Sequence, residues 1–129
     1  MPESLNNNTI LIIEDDIDIQ TFVFRVLELE GYQVLRTGSG TEGLNVLYDT
    51  QVNLVLLDLR LPDTDGWSIL EQIKAAPDTS GIPVIIFTAS VDKPQRTRAI
   101  AMGAVDYLTK PLSTTELKNA ITRVLKTDG

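Results

Sequence analysis

The chain has 129 residues, 43% hydrophobic and 22% charged, which suits one globular domain with a sizeable core and leaves no room for the second domain that most cofactor-dependent enzymes need. It has no cysteine and no histidine, which excludes disulfides, thiolate or imidazole metal sites and the usual general base, so any chemistry must run on carboxylates, hydroxyls and amines. A net charge of −7 argues against nucleic acid or an anionic membrane as a partner and favours a hard cation.

In chain order, residues 1–8 read as a flexible N-terminal segment without the basic-then-apolar layout of a signal peptide. The first strand, Ile10 to Ile13, ends in Glu14-Asp15-Asp16. In the helix that follows, Ile19, Phe22, Val23, Val26 and Leu27 fall at helical spacing as a core stripe, Ile17 and Phe24 share an outward face, and Gly31 supplies the stop. A second strand, Gln33 to Thr37, leads through Gly38-Ser-Gly-Thr-Glu-Gly43 into a second helix, and a third, Asn53 to Leu57, ends at Asp58. Asp65-Gly66 opens a third helix that runs until Pro77. The fourth strand, Pro83 to Phe87, ends in Thr88-Ala89-Ser90, and the fifth, Val105 to Thr109, ends in Lys110-Pro111. Ser113-Thr-Thr-Glu116 reads as a capping box for a last helix ending near Lys126, followed by a short tail, 127–129, with no output domain expected in the chain. No run approaches the ~18 apolar residues of a membrane span, so no membrane partner and a cytoplasmic location are expected.

Strands alternating with helices imply parallel pairing through right-handed crossovers, and the near-continuous apolar character of the strands suits a sheet covered on both faces. The expected fold is α/β, a flavodoxin-like (βα)5 three-layer sandwich with a five-stranded parallel sheet in the order 2-1-3-4-5. In such sheets ligands bind beyond the carboxyl ends of the strands, where strand order reverses, and this order puts the first and third strands side by side at that point. Glu14, Asp15 and Asp58 therefore converge. Two carboxylates about 5 Å apart repel by roughly 3 kcal/mol at an effective dielectric of 20, a cost that a divalent cation relieves. Oxygen-only ligands select Mg²⁺, Mn²⁺ or Ca²⁺. Lys110 is placed to complete the charge balance.

Four segments, Ile10-Leu-Ile-Ile-Glu-Asp-Asp16, Leu56-Leu-Asp-Leu-Arg-Leu-Pro-Asp-Thr-Asp-Gly66, Ile85-Ile-Phe-Thr-Ala89 and Gly103-Ala-Val-Asp-Tyr-Leu-Thr-Lys-Pro111, resemble in order those of the CheY-like receiver domains of two-component signalling, across about residues 9 to 126. The resemblance implies that Asp58 takes a phosphoryl group from the phosphohistidine of a sensor histidine kinase or histidine phosphotransfer protein. It implies Mg²⁺, with Mn²⁺ as the alternative, held directly by Asp15, Asp58 and the Arg60 backbone carbonyl and through water by Glu14. Thr88 and the Ala89 N–H would contact the phosphoryl group, Lys110 would pair with it, and Lys110-Pro111 would be cis. Such a domain is not an enzyme in the ordinary sense but assists its own phosphorylation and dephosphorylation. It implies that Thr88 and Tyr107 form the switch, with Tyr107 turning from an outward to a buried rotamer. The target would be read on the face of the fourth helix, fifth strand and fifth helix, by a monomer or a phosphorylation-dependent dimer. The kinase would dock through Ile17, Asp18, Ile19 and Phe22 with the Pro111-Leu112 loop. The chain lacks histidine, so the phosphohistidine must come from elsewhere.

Blander readings compete. The three first-strand acids would also suit a helix N-terminus, which favours negative charge, but that leaves Asp58 and Lys110 unexplained. Tyr107 would serve equally as a strand aromatic half covered by a helix. The Gly38–Gly43 run matches the G-x-G-x-x-G of dinucleotide sites, yet it falls in the second βα unit and leaves Lys110 idle. Asp63-Thr-Asp-Gly66 mimics part of an EF-hand, whose outer ligands would then be Leu61 and Gln72. A phosphatase resembling the haloacid dehalogenases needs a second acid where Arg60 stands. A phosphorylation-independent pseudo-receiver is the remaining alternative.

Overall fold

The computed structural model describes residues 8–89 and 92–125. Five strands, β1 (Thr9–Ile13), β2 (Gln33–Thr37), β3 (Leu54–Leu57), β4 (Val84–Thr88) and β5 (Asp106–Thr109), alternate with five helices, α1 (Ile17–Leu29), α2 (Gly40–Asp49), α3 (Gly66–Ala75), α4 (Lys93–Ala101) and α5 (Thr114–Leu125). The sheet is parallel in the order β2-β1-β3-β4-β5, as expected. Segment 1–7, Ser90, the expected helix end at Lys126 and the tail 127–129 lie outside the described residues.

Alternate residues of a strand face opposite ways, and this sheet separates two apolar clusters accordingly. Leu11, Ile13, Val55, Leu57, Val84 and Ile86 join Leu47 of α2 and Ile69, Leu70 and Ile73 of α3. Ile10, Ile12, Leu54, Leu56, Ile85 and Phe87 join Val23, Val26 and Leu27 of α1 and Leu117, Ala120 and Ile121 of α5. The expectation of strands covered on both faces holds for β3 and β4, buried throughout, and for β1 beyond Thr9. The edge strands β2 and β5 differ: Gln33 and Arg36 are exposed, and Tyr107 is the one buried residue of β5. An edge strand has a neighbour on one side only, so its polar side chains reach water.

Helix ends follow local chemistry. Gly31 takes φ 93°, a left-handed conformation that favours glycine, and the Tyr32 N–H reaches the Leu27 carbonyl at 3.2 Å to close α1. Ser113 and Glu116 form the reciprocal capping box, at 3.0 and 3.1 Å. The Asp65 carboxylate accepts from Ser68 N–H at 2.8 Å to start α3, which ends at Ala75 because the residue preceding Pro77 is driven to extended backbone (Ala76 ψ 133°).

One helix face departs from expectation. Phe22 is 39% exposed, whereas Phe24 is half-buried against the α1–α5 cluster, with the Arg36 guanidinium 4.7 Å above its ring. The centre of the buried face is Gln20, with Val23 and Leu27 one and two turns on, and this rotates Phe22 out of the core and brings Phe24 to its edge. Ile17 is exposed, as expected.

Candidate functional site

Strand register assembles the site. Ile13 pairs with Leu57, and Asp58 N–H continues the ladder to the Ile13 carbonyl at 3.1 Å, so the next side chains, Glu14 and Asp58, leave the sheet side by side. Glu14, Asp15 and Asp58 each bring a carboxylate oxygen within 4.8 Å of the others. Asp16, the third acid of the first strand's run, stays outside this cluster: it caps α1, accepting from Asp18 and Ile19 N–H at 3.0 and 3.2 Å. The bland reading therefore holds for that one acid.

Lys110 reaches across from the end of β5, where its N–H bonds the Thr88 carbonyl at 2.8 Å. Its ammonium donates to Glu14 Oε1 at 2.5 Å and to Asp58 Oδ2 at 3.1 Å, and lies 5.0 Å from the Phe87 ring centroid. Glu14 is 1% exposed, and burial raises its pKa above the usual carboxylate value against the opposing Lys110 and Asp16 hydrogen bonds. Burial works against the Lys110 charge too, but the Glu14 hydrogen bond and the charges of Asp58 and Glu14 prevail and its pKa rises. One cation thus serves two buried acids, Glu14 and Asp58, with the exposed Asp15 beside them, and the remaining negative charge fits a hard divalent cation on an all-oxygen donor set.

A cavity of about 430 Å³ opens over these groups, lined among others by Asp15, Asp58, Arg60, Pro62, Thr88, Ala89 and Lys110. The Arg60 N–H donates to Asp58 Oδ1 at 3.3 Å, Thr88 is 2% exposed, and the Lys110-Pro111 peptide is cis. Every residue expected at the site lines this one opening except Pro111, which lines the neighbouring apolar groove, and Tyr107, which is 3% exposed and packs in the α2–α3 cluster. Its hydroxyl donates to Gln95 Oε1 at 3.4 Å, so Tyr107 here has the buried rotamer rather than the outward one, and is fully covered rather than half covered.

Sequence reasoning missed the supports. Gln20 is buried and donates from Nε2 to the carbonyls of Glu14 and Thr37 at 2.8 and 3.1 Å, while its Oε1 accepts from Arg36 Nε at 2.9 Å. A polar residue in step with Val23 and Leu27 was the available signal. The Gly38–Gly43 run is packing: a Cβ on Gly43 would collide with Ile13, and one on Gly40 would come within 2.5 Å of Thr64 and 2.7 Å of Ile69. The α2 N-terminus that a nucleotide phosphate would need is filled by the chain itself, since the Asp63 carboxylate accepts from Gly40 N–H, Thr41 N–H and the Thr41 hydroxyl.

Comparison with known proteins agrees with this geometry. Residues 10–122 match the response regulator receiver domain family. The chain is 34% identical over 123 residues to the transcriptional regulatory protein GltR of Pseudomonas aeruginosa, covering 95% of this chain and 51% of that protein, so it spans about half the length of such curated relatives. A CheY-like response regulator receiver domain protein from Methanospirillum hungatei superposes with a TM-score of 0.87 at 30% identity over 94% of this chain and 95% of that one. The receiver domain of a sensor histidine kinase from Pseudomonas aeruginosa, with a magnesium ion coordinated in its active-site cleft, superposes with a TM-score of 0.86 at 29% identity over 95% and 100% of the two chains. With fold, site geometry and family match in agreement, the chain belongs to the response regulator receiver domains of two-component signalling.

Proposed function

We propose that the domain is a phosphoacceptor switch, with Asp58 as the acceptor. The observation that carries this reading is the placement of the Asp58 carboxylate beside Glu14 and Asp15, with the Lys110 ammonium bonded to it, under a cavity that Thr88 and Ala89 also line. An Asp58 oxygen attacks the phosphorus of a donor phosphohistidine; the new O–P bond forms as the P–N bond breaks, and the imidazole leaves with the electron pair and takes a proton from solvent. Lys110, the Ala89 N–H and the Thr88 hydroxyl offer positive charge and donors to the phosphoryl oxygens. Asp15, Asp58 and the Arg60 carbonyl would hold Mg²⁺ directly, and Glu14 through water. Bound there, the ion supplies neutralisation of charge on the transferring phosphoryl group.

The donor would come from a histidine kinase or phosphotransfer protein. An apolar groove of about 530 Å³ beside the site, lined by Ile19, Phe22, Pro111 and Leu112 among others, supports docking there. Output is read on the α4–β5–α5 face through Thr88 and Tyr107. A net charge of −7 does not attract DNA, so a DNA-directed output requires a separate segment.

Mg²⁺ with acetyl phosphate should add one base-labile phosphoryl group, and Asp58→Asn should accept none. Equal mass gain in Asp58→Asn refutes the assignment, and no gain in the wild type favours a pseudo-receiver. Asp15→Ala should abolish the Mg²⁺-dependent rise in melting temperature while raising metal-free stability, because one of three crowded charges is gone.

A further inference from the structure

The loop from Asp58 to Gly66 is closed at its base. Gly66 N–H bonds the Leu59 carbonyl at 2.8 Å, Arg60 bridges to Asp65, and Gly66 sits where a Cβ would strike the Asp58 carbonyl oxygen and come within 2.6 Å of Leu59 Cα. Between these ties, Arg60, Leu61 and Pro62 form one wall of the cavity over Asp58. Leu61 is partly buried against the core, but the tip beyond it is held to the body of the domain by a polar clamp. Asp63 Oδ1 accepts from Gly40 N–H at 2.9 Å, and Oδ2 accepts from Thr41 N–H at 2.9 Å and from the Thr41 hydroxyl at 2.6 Å. The partner groups are the first turn of α2, rigid because Gly40 and Gly43 pack too tightly for any side chain against Thr64, Ile69 and Ile13.

We propose that Asp63 is a positioning residue for the metal site: by clamping the loop tip onto α2 it fixes the wall that carries the Arg60 carbonyl, and so sets the affinity for the divalent cation. Asp63 touches neither the cation nor the phosphoryl group; it acts through residues 60–62. A cap that merely stabilised α2 would affect folding alone, whereas a clamp on the wall changes binding. This deepens the proposed function and rests on it. Groups that orient metal ligands typically change affinity 10- to 100-fold when removed, and a clamp three residues from the ligand falls at the low end, about tenfold.

The test is a Mg²⁺ titration of the whole chain followed by amide chemical shifts, with melting temperature measured in parallel. Asp63→Ala should weaken Mg²⁺ binding about tenfold. Ser39→Ala removes the side-chain cap that Glu42 N–H uses on the same helix, at 3.2 Å, without touching the loop; it should lower the melting temperature and leave Mg²⁺ affinity unchanged. Should Asp63→Ala fold poorly, Thr41→Val removes one of the three clamp bonds and should weaken Mg²⁺ about two- to threefold. Wild-type affinity in Asp63→Ala, or in Thr41→Val where only that variant folds, overturns the clamp while leaving the metal site standing. An equal loss in Ser39→Ala also overturns it, since the effect then belongs to α2 stability. A wild type with no saturable Mg²⁺ response overturns the metal reading and the positioning role together.

Discussion

The two helices that flank the site are fastened by different forces. α1 buries Val23, Val26 and Leu27 under the sheet and has Asp16 as a side-chain cap. Of the residues of α4, Ala99 alone is buried, and polar and stacking contacts tie the helix down: Arg96 Nη1 to the Tyr107 carbonyl at 3.0 Å, Gln95 to the Tyr107 hydroxyl at 3.4 Å, and the Arg98 guanidinium 4.1 Å above Trp67. A fully buried aliphatic side chain contributes about 1.5–3 kcal/mol, and an exposed cation–π contact about 0.5–1. The wall that presents Glu14 and Asp15 is thus anchored by the core, while the helix beyond Thr88 is held by contacts weak enough to open locally. The proposed switch would benefit from this inequality, because the acids would stay put while the proposed reporting surface moved.

The largest expected effect tests the anchored side. Leu27→Ala should cost about 2–5 kcal/mol, whereas Ile100→Ala on α4, at 45% exposure, should cost under about 0.5. Urea midpoints compare them, and equal losses would erase the distinction. Gln20→Leu comes next, at about 1–3 kcal/mol, because the Glu14 carbonyl and Arg36 Nε lose their buried partner. It should also shift the Glu14 and Asp15 amide resonances; a loss of stability with those resonances unmoved would reduce Gln20 to packing. Arg98→Ala should cost about 0.5–1 kcal/mol and speed hydrogen exchange in α4 but not in α1. Uniform acceleration would mean that the two helices open together.

The smallest effect concerns the clamp on α2, a third kind of fastening that depends on charge. The Thr41 hydroxyl and the Thr41 and Gly40 amides hold the Asp63 carboxyl down to about 2, from an ordinary 3.8. A lowered carboxylate pKa means that the stabilisation is complete above the unfolded value and is lost as pH falls through the folded one. The difference in melting temperature between wild type and Asp63→Asn should therefore be constant at neutral pH and shrink below about pH 3.8, where the unfolded chain begins to take up the proton that the folded clamp resists down to about pH 2. A difference independent of pH from 6 to 3 would show that the charge contributes nothing.

The sheet was legible because β1, β3 and β4 are apolar runs ending in chemically distinctive residues; a strand buried on both faces cannot hide such a pattern. The site was legible for the same reason, since parallel strands deliver their terminal side chains to one edge, and Glu14, Asp15, Asp58 and Lys110 arrive there. What escaped was set by rotation and by tertiary partners. Whether Phe22 or Phe24 faces inward turns on tens of degrees about the α1 axis, which apolar spacing alone leaves open. The role of Asp63 depends on amides some twenty residues earlier in the chain, brought close only by packing of α2 on α3. The burial of Tyr107 depends on Gln95 of α4 and on the core cluster it joins rather than on its own neighbours in sequence.

Trp67 is the one tryptophan of the chain and stands at the α3–α4 junction with a cation stacked on its face. An indole reports the electric field across its ring in the colour of its emission, and a guanidinium at 4.1 Å is a large part of that field. The domain therefore carries its own optical gauge of α4 position. A shift in Trp67 emission reports motion of Arg98 without any label, and collisional quenching by iodide distinguishes a stacked indole from an uncovered one. Because Asp58 and Trp67 lie at opposite ends of the β3–α3 loop, Trp67 emission offers a way to time the proposed phosphorylation of Asp58.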